Sequence, residues 1–134
     1  MVTRQILEDC YTLSAEINAI ITEINALYKP NIYAGGERIG ARGNEPSNPT
    51  ERAAITITDL REKLKGKLQT LYSYVYDIEE WLDTVEESEI RAIIRWHYVN
   101  GKNWNQTNIK VYGYPDYFYS RQKALKYLQK QGIL

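Results

Sequence analysis

Near the N-terminus Ile6, Cys10, Leu13, Ile17, Ile20, Ile24 and Leu27 recur at spacings of 4-3-4-3-4-3. A strand alternates with period two, so this pattern excludes β-structure and predicts a helix over residues 3–28 with one apolar seam about three heptads long. Tyr28-Lys29-Pro30 ends it, because the residue before a proline is pushed out of helical geometry. A seam of this kind must be covered. A second one follows: Leu60, Leu64, Leu68, Leu71, Val75, Ile78, Leu82 and Val85 are spaced 4-4-3-4-3-4-3. Asn48-Pro49-Thr50-Glu51 reads as its start, with a cap, a proline in the first turn and an acid at the third position. Gly66 is a weak spot costing about 1 kcal/mol against alanine. The expected fold is therefore all-α: a long antiparallel, coiled-coil-like helical hairpin over residues 1–85, then a three-helix unit over 86–134. The second seam outruns the first. Its remainder needs the C-terminal helices or a second subunit, and a homodimer is the preferred outcome.

Residues 31–47, with Gly35, Gly36, Gly40, Gly43 and Pro46, show no periodicity and read as a linker between the two long helices. Gly35-Gly36-Glu37-Arg38-Ile39-Gly40 is not a phosphate loop, since no strand precedes it and no Lys-Ser/Thr pair closes it. Arg38 and Arg42 give this stretch a basic character.

Residues 86–131 carry three short helical patterns. The first, 89–99, turns Ile90, Ile93, Ile94 and Tyr98 inward and stops at Asn100-Gly101. Asn103 and Gln106 are spaced as a capping box for the second, which Gly113 ends; Trp104 would plug the turn between them. The third has Pro115 in its first turn, Phe118, Leu125 and Leu128 on its inner face with Ala124 beside them, and Arg121, Lys123, Lys126 and Lys130 outward. A supporting helix, a glycine-containing turn and a helix with polar and basic groups near its start form the order of a helix-turn-helix. Charge agrees. The chain holds 17 cations and 17 acids, yet from Asn100 onward Lys102, Lys110, Arg121, Lys123, Lys126 and Lys130 face only Asp116. A basic segment on a neutral chain suits a phosphate-binding surface. It equally suits an ordinary bundle with solvated lysines, and periodicity does not separate the two.

The runs Arg91-Ala92-Ile93-Ile94-Arg95-Trp96-His97-Tyr98, Gly101-Lys102-Asn103-Trp104, Gly113-Tyr114 and Ser120-Arg121-Gln122-Lys123-Ala124-Leu125-Lys126-Tyr127-Leu128 carry a resemblance. They resemble the C-terminal part of phage RinA/ArpU-type transcriptional regulators, which is similar to the fourth region of sigma factors. The layout upstream, two long helices with Asn48-Pro49-Thr50-Glu51 opening the second, is also similar. Thr107-Asn108-Ile109 stands where that family has Ile-Ala, and Tyr117-Phe118-Tyr119 is more aromatic than its usual recognition helix. The composition fits a cytoplasmic location in the host cell, the leftover seam a homo-oligomer, and the acidic run at 77–89 a contact with RNA polymerase or another host protein; the resemblance implies binding of double-stranded DNA in phage transcription control. It implies a helix from Pro115 in the major groove, with Tyr117, Ser120 and Arg121 near base edges. Lys102, Lys123 and Lys126 would then lie on phosphates, and Asn103 and Gln106 at the start of the preceding helix would complete the site.

Other classes find less support. One cysteine and one histidine cannot make an intrachain disulfide or a zinc site of the usual ligands. Cys10, in the seam, reads as a small buried apolar residue. His97 reads as a surface or helix-end histidine favoured by the helix dipole. Asp77, Glu79, Glu80, Asp83, Glu86, Glu87 and Glu89 spread round a helix rather than converge, and read as a solvated face or a docking surface for a basic partner, with Trp81 among them. No nucleophile–base pair, metal set or phosphate loop can be assembled, so no enzyme and no cofactor are expected. No signal peptide and no membrane span are expected either. The rival expectation is a protein-interaction factor, either a small terminase-type packaging subunit or an inhibitor of a host polymerase or defence nuclease. Residues 114–119 and the acidic face at 77–89 would be its contact surfaces.

Overall fold

The computed structural model describes residues 2–28 and 50–134. Among them the chain is all-α, with no strand. The helices are α1 (Arg4–Tyr28), α2 (Glu51–Leu82), α3 (Ser88–Ile94) running on into a π-helical turn (Arg95–Val99), α4 (Trp104–Tyr112) and α5 (Tyr119–Lys130). The expected linker at 31–47, with Arg38 and Arg42, and the expected Asn48 cap and Pro49 lie outside the described residues. At the start of α2 it is Thr50 that caps, its Oγ1 accepting from the Ala53 amide at 3.1 Å. No helix among the described residues is long and apolar enough to cross a membrane.

The chain divides into two compact units, one formed by the first part of α1 up to Glu16 with Gln69–Leu134, the other by Ile17–Leu68. In the second, Ile20 and Ile24 of α1 meet Ile57 and Leu60 of α2, with Leu27, Tyr28 and Leu64 packed against them. The Arg61 guanidinium donates to the Tyr28 hydroxyl at 2.6 Å and lies 5.6 Å above that ring. Here the seam follows the expected positions, with Ile57 added one turn before Leu60.

The first unit crosses the boundary expected at 85/86. Its core joins Val2, Leu7 and Cys10 to Ile78, Leu82 and Val85, and these to Ile90, Ile94, Tyr98 and Leu128. The ends of the long helices and the short helices thus share one interior. On α1 the inner line departs from the heptad. Leu7 and Ser14 are buried, while Ile6 and Leu13 are only half-buried. A helix of 3.6 residues per turn drifts about 20° per heptad away from a strict 3.5 repeat. Ser14 is held inside because its hydroxyl donates to the Val99 carbonyl at 2.7 Å. Cys10 is fully buried, and burial pushes its thiol up to about 11, in keeping with an apolar role.

Helix α2 stops at Leu82, three residues short of the expected Val85. The turn after it is closed by Thr84 N–H to Trp81 and Val85 N–H to Leu82. Arg91 donates to the carbonyls of Val85 and Glu86, which have no helical partner. After α3 the Asn100 amide reaches the Arg95 carbonyl at 2.9 Å, a five-residue step that widens the last turn. Gly101 follows at φ 72°, and a β-carbon there would lie 3.0 Å from Ser14 Cβ and 3.2 Å from the Ala15 nitrogen. Left-handed backbone and close packing against α1 both require glycine.

Candidate nucleic-acid interface

The start of α4 forms as the spacing predicts. Asn103 Oδ1 accepts from the Gln106 amide at 2.8 Å, and Gln106 Oε1 accepts from the Asn103 amide at 3.1 Å. Both side chains are exposed, and the box uses their carbonyl oxygens, leaving the NH₂ groups as the donors available to an anion. Gly113, at φ 90°, ends α4 as expected. Helix α5 does not begin at Pro115. It begins at Tyr119, because Asp116 Oδ1 takes the amides of Phe118 (2.8 Å) and Tyr119 (3.1 Å) in a side-chain turn before the helix. Phe118, expected inward, is 60% exposed as a result.

Asn108 fixes α5 to α4. It is fully buried, its Nδ2 donates to the Tyr114 carbonyl at 2.8 Å, and its Oδ1 accepts from the Ser120 hydroxyl at 2.6 Å. This corrects the expectation for Ser120. It has no exposed surface, and its hydroxyl proton is committed inside the unit, so it braces the turn rather than meeting a base edge.

Helix α5 consequently presents three faces. Ser120, Ala124 and Leu128, four apart, are buried. Arg121, Leu125 and Gln129, also four apart, line a cleft against the first part of α1. Tyr119, Gln122, Lys126 and Lys130 form the open face at helical spacing. Lys123 lies between the open and buried faces, where its Nζ pairs with Glu89 Oε1 at 2.7 Å and sits 5.4 Å over the Tyr119 ring. Lys123 holds the Glu89 carboxyl below its ordinary range, with the Tyr112 hydroxyl contributing, and is itself raised. That hydroxyl is enclosed beside Glu89 without a hydrogen bond of good geometry.

Of the residues singled out from the sequence, Tyr117 and Lys126 are exposed, and Lys102 is half-buried. Arg121 is half-buried on the cleft side, 5.8 Å over the Tyr117 ring. Lys126 and Lys130 pair with no carboxylate among the described residues. Lys110 is exposed and lies 5.1 Å over Trp96. Gln122 was not singled out. The signal for it is its place three residues after Tyr119 and four before Lys126, once the helix start is known. The acidic run is partly committed. Glu79 binds the Arg95 guanidinium through both oxygens, at 2.7 and 3.0 Å, and Arg95 holds its carboxyl below the usual range. No group of three or more potential metal ligands occurs among the described residues.

His97 also departs from expectation. It is buried, stacked 3.5 Å from the Trp104 ring on one face and 4.4 Å from the Tyr11 ring on the other, with Tyr98 edge-on at 4.7 Å. Its Nδ1 lies 2.7 Å from the Lys102 carbonyl, which can only accept, so Nδ1 carries the proton and Nε2 is an acceptor. Burial lowers its pKa to about 4, outweighing the opposing effect of that bond. The helix dipole favours a surface position for a histidine at this helix end; Trp104, seven residues on, and Tyr11, 86 positions away, enclose it instead. No protein-family model, characterised protein or solved structure matches this chain.

Proposed function

We propose that the chain binds double-stranded DNA through the open face of α5 and acts in phage transcription control, as the regulators it resembles do. The observation that supports this is the stripe Tyr119, Gln122, Lys126 and Lys130, exposed on a helix braced from behind by Asn108 and Ser120. In the major groove Gln122 has the two-pronged amide that pairs with adenine, worth about 1–3 kcal/mol of discrimination. Lys126 and Lys130, with Lys110 and the half-buried Lys102, supply phosphate contacts that position the helix. Asn103 and Gln106 can add their amide groups at the α4 start. Lys123 is a weaker candidate because Glu89 holds it, and Arg121 is a weaker one because it lies on the cleft flank. The proposed setting is the host cytoplasm, and the proposed assembly a homodimer reading two half-sites. No chemical step is part of this reading.

The test is selection from a random duplex pool with affinity followed against salt. Enrichment of one sequence with a steep salt dependence supports it; absence of binding at low salt overturns it. One feature favours a second reading. Tyr114, Tyr117, Phe118 and Tyr119 are exposed together around the α4–α5 turn, a composition that also suits a protein interface. Capture of a host protein that survives nuclease treatment and is lost on Phe118→Ser would favour that role.

A further inference from the structure

We propose that the cleft between the first part of α1 and the Arg121 flank of α5 is a binding site for a small organic anion that carries a flat ring. The cleft has a volume of about 600 Å³, and Arg4, Tyr11, His97, Tyr98, Trp104 and Arg121 are among its lining residues. Small-molecule sites typically run from about 300 to 1,000 Å³ and combine aromatic walls with a few converging polar groups. Here the wall is the Tyr11–His97–Trp104 stack, with Tyr98 edge-on to both His97 and Trp104. A ring packed on such a wall gains area and stacking together. The unprotonated Nε2 of His97 offers an acceptor, and Tyr98 brings a hydroxyl that makes no hydrogen bond within the described residues.

The charge selects an anion. Arg4, Arg121 and Glu8 all line the cleft, two cations against one acid. Glu8 is engaged by Arg4 at 2.9 Å, whereas Arg121 has no carboxylate partner among the described residues. A guanidinium presents its donors as a planar fork that fits a carboxylate or a phosphate. Ring and oxyanion in one molecule is the chemistry shared by nucleoside monophosphates and aromatic carboxylates. Arg121 lies about 100° around α5 from Gln122, whereas Gln129, which also lines the cleft, lies within about 20° of it, so the cleft adjoins the proposed DNA face. Its test needs no DNA.

The experiment titrates the full chain, ¹⁵N-labelled, with 5′-AMP and with indole-3-carboxylate, and with the uncharged adenosine and indole as comparators. At least one anion should saturate with Kd at or below about 1 mM. It should shift the Trp104 indole N–H signal while those of Trp81 and Trp96 stay in place, and its neutral counterpart should bind at least about tenfold more weakly. Which of the two anions binds separates the two ligand sources. Arg121→Gln should weaken binding about tenfold or more. Arg4→Gln, at an exposed side chain, leaves the Glu8 carboxylate unpaired in the cleft and should likewise weaken the anion but not its neutral counterpart, which keeps the test open if the Arg121 variant fails to fold. The proposal is overturned if neither anion saturates by about 10 mM, if the neutral compounds bind equally well, or if the shifts fall away from Trp104.

Discussion

His97 lies between Tyr11 and Trp104 and is neutral at physiological pH, with its one proton on Nδ1. Its folded pKa, about 4, is below the ordinary 6.5, so between these values the unfolded chain binds more protons than the folded one. The linked stability is complete above about 6.5 and is lost as the pH falls toward 4. From pH 7 to pH 5 the loss should be roughly 2 kcal/mol. Urea denaturation at the two pH values measures it, and His97→Phe should abolish the difference. Glu79 and Glu89 do not confuse the test. Their folded pKa values are depressed, so their contribution is intact above the unfolded value of 4.5 and fades only below it. Ser120 supports a second prediction. Ser120→Ala leaves the buried Asn108 Oδ1 without its donor and should cost about 1–2 kcal/mol in denaturant. Its DNA affinity, corrected for folded fraction, should stay unchanged, whereas Gln122→Ala should leave stability alone and relax sequence preference. If Ser120→Ala relaxed the preference instead, the base-reading face would have been assigned to the wrong residues.

Among the elements, the Gly101 turn is the most constrained junction. Gly113→Ala meets open space and pays only for left-handed backbone, about 1–2 kcal/mol. Gly101→Ala adds contact with Ser14 and the α1 backbone and should cost more than about 2 kcal/mol. Thermal or urea denaturation of the two variants ranks them, and equal losses would show that α1 yields at Ser14. The same junctions show what a sequence discloses. The Asn103–Gln106 box and the Gly113 stop involve neighbours within a few residues, so spacing alone predicts them. The start of α5 is also local, but two signals compete there, and the Asp116 side chain prevails over Pro115. The burial of His97, Ser14 and Ser120, and the pairing of Lys123 with Glu89, depend on partners 12 to 86 positions away. No periodicity encodes them. Lysines that look alike in the sequence are therefore separated only in the fold: Lys126 is open and Lys123 is held.

For the molecule as a whole, equal totals of acidic and basic residues conceal how charge is committed. Arg95 is paired with Glu79 and Lys123 with Glu89, so one acid of the 77–89 run offsets a cation, Lys123, that a count would assign to the binding surface. The effective charge that duplex DNA meets depends on which pairs stay closed, and counterion release counts it. Each phosphate neutralised contributes about −0.9 to the slope of log Kobs against log salt. Lys126→Ala removes an uncommitted cation from the open face of α5. It should weaken specific and non-specific DNA alike and make the slope shallower by about one. Glu89→Gln acts the other way. It removes the charge that holds Lys123, and a lysine released beside the open face should take up a phosphate, steepening the slope by up to about one and tightening binding at low salt. Measuring both variants on the same duplex across a salt series separates surface from support. Opposite shifts place the open face and the Lys123 flank on DNA together. An unchanged slope for Glu89→Gln, with the Lys126 effect intact, confines the contact to the stripe from Tyr119 to Lys130 and leaves the Glu89–Lys123 pair as a brace between α3 and α5.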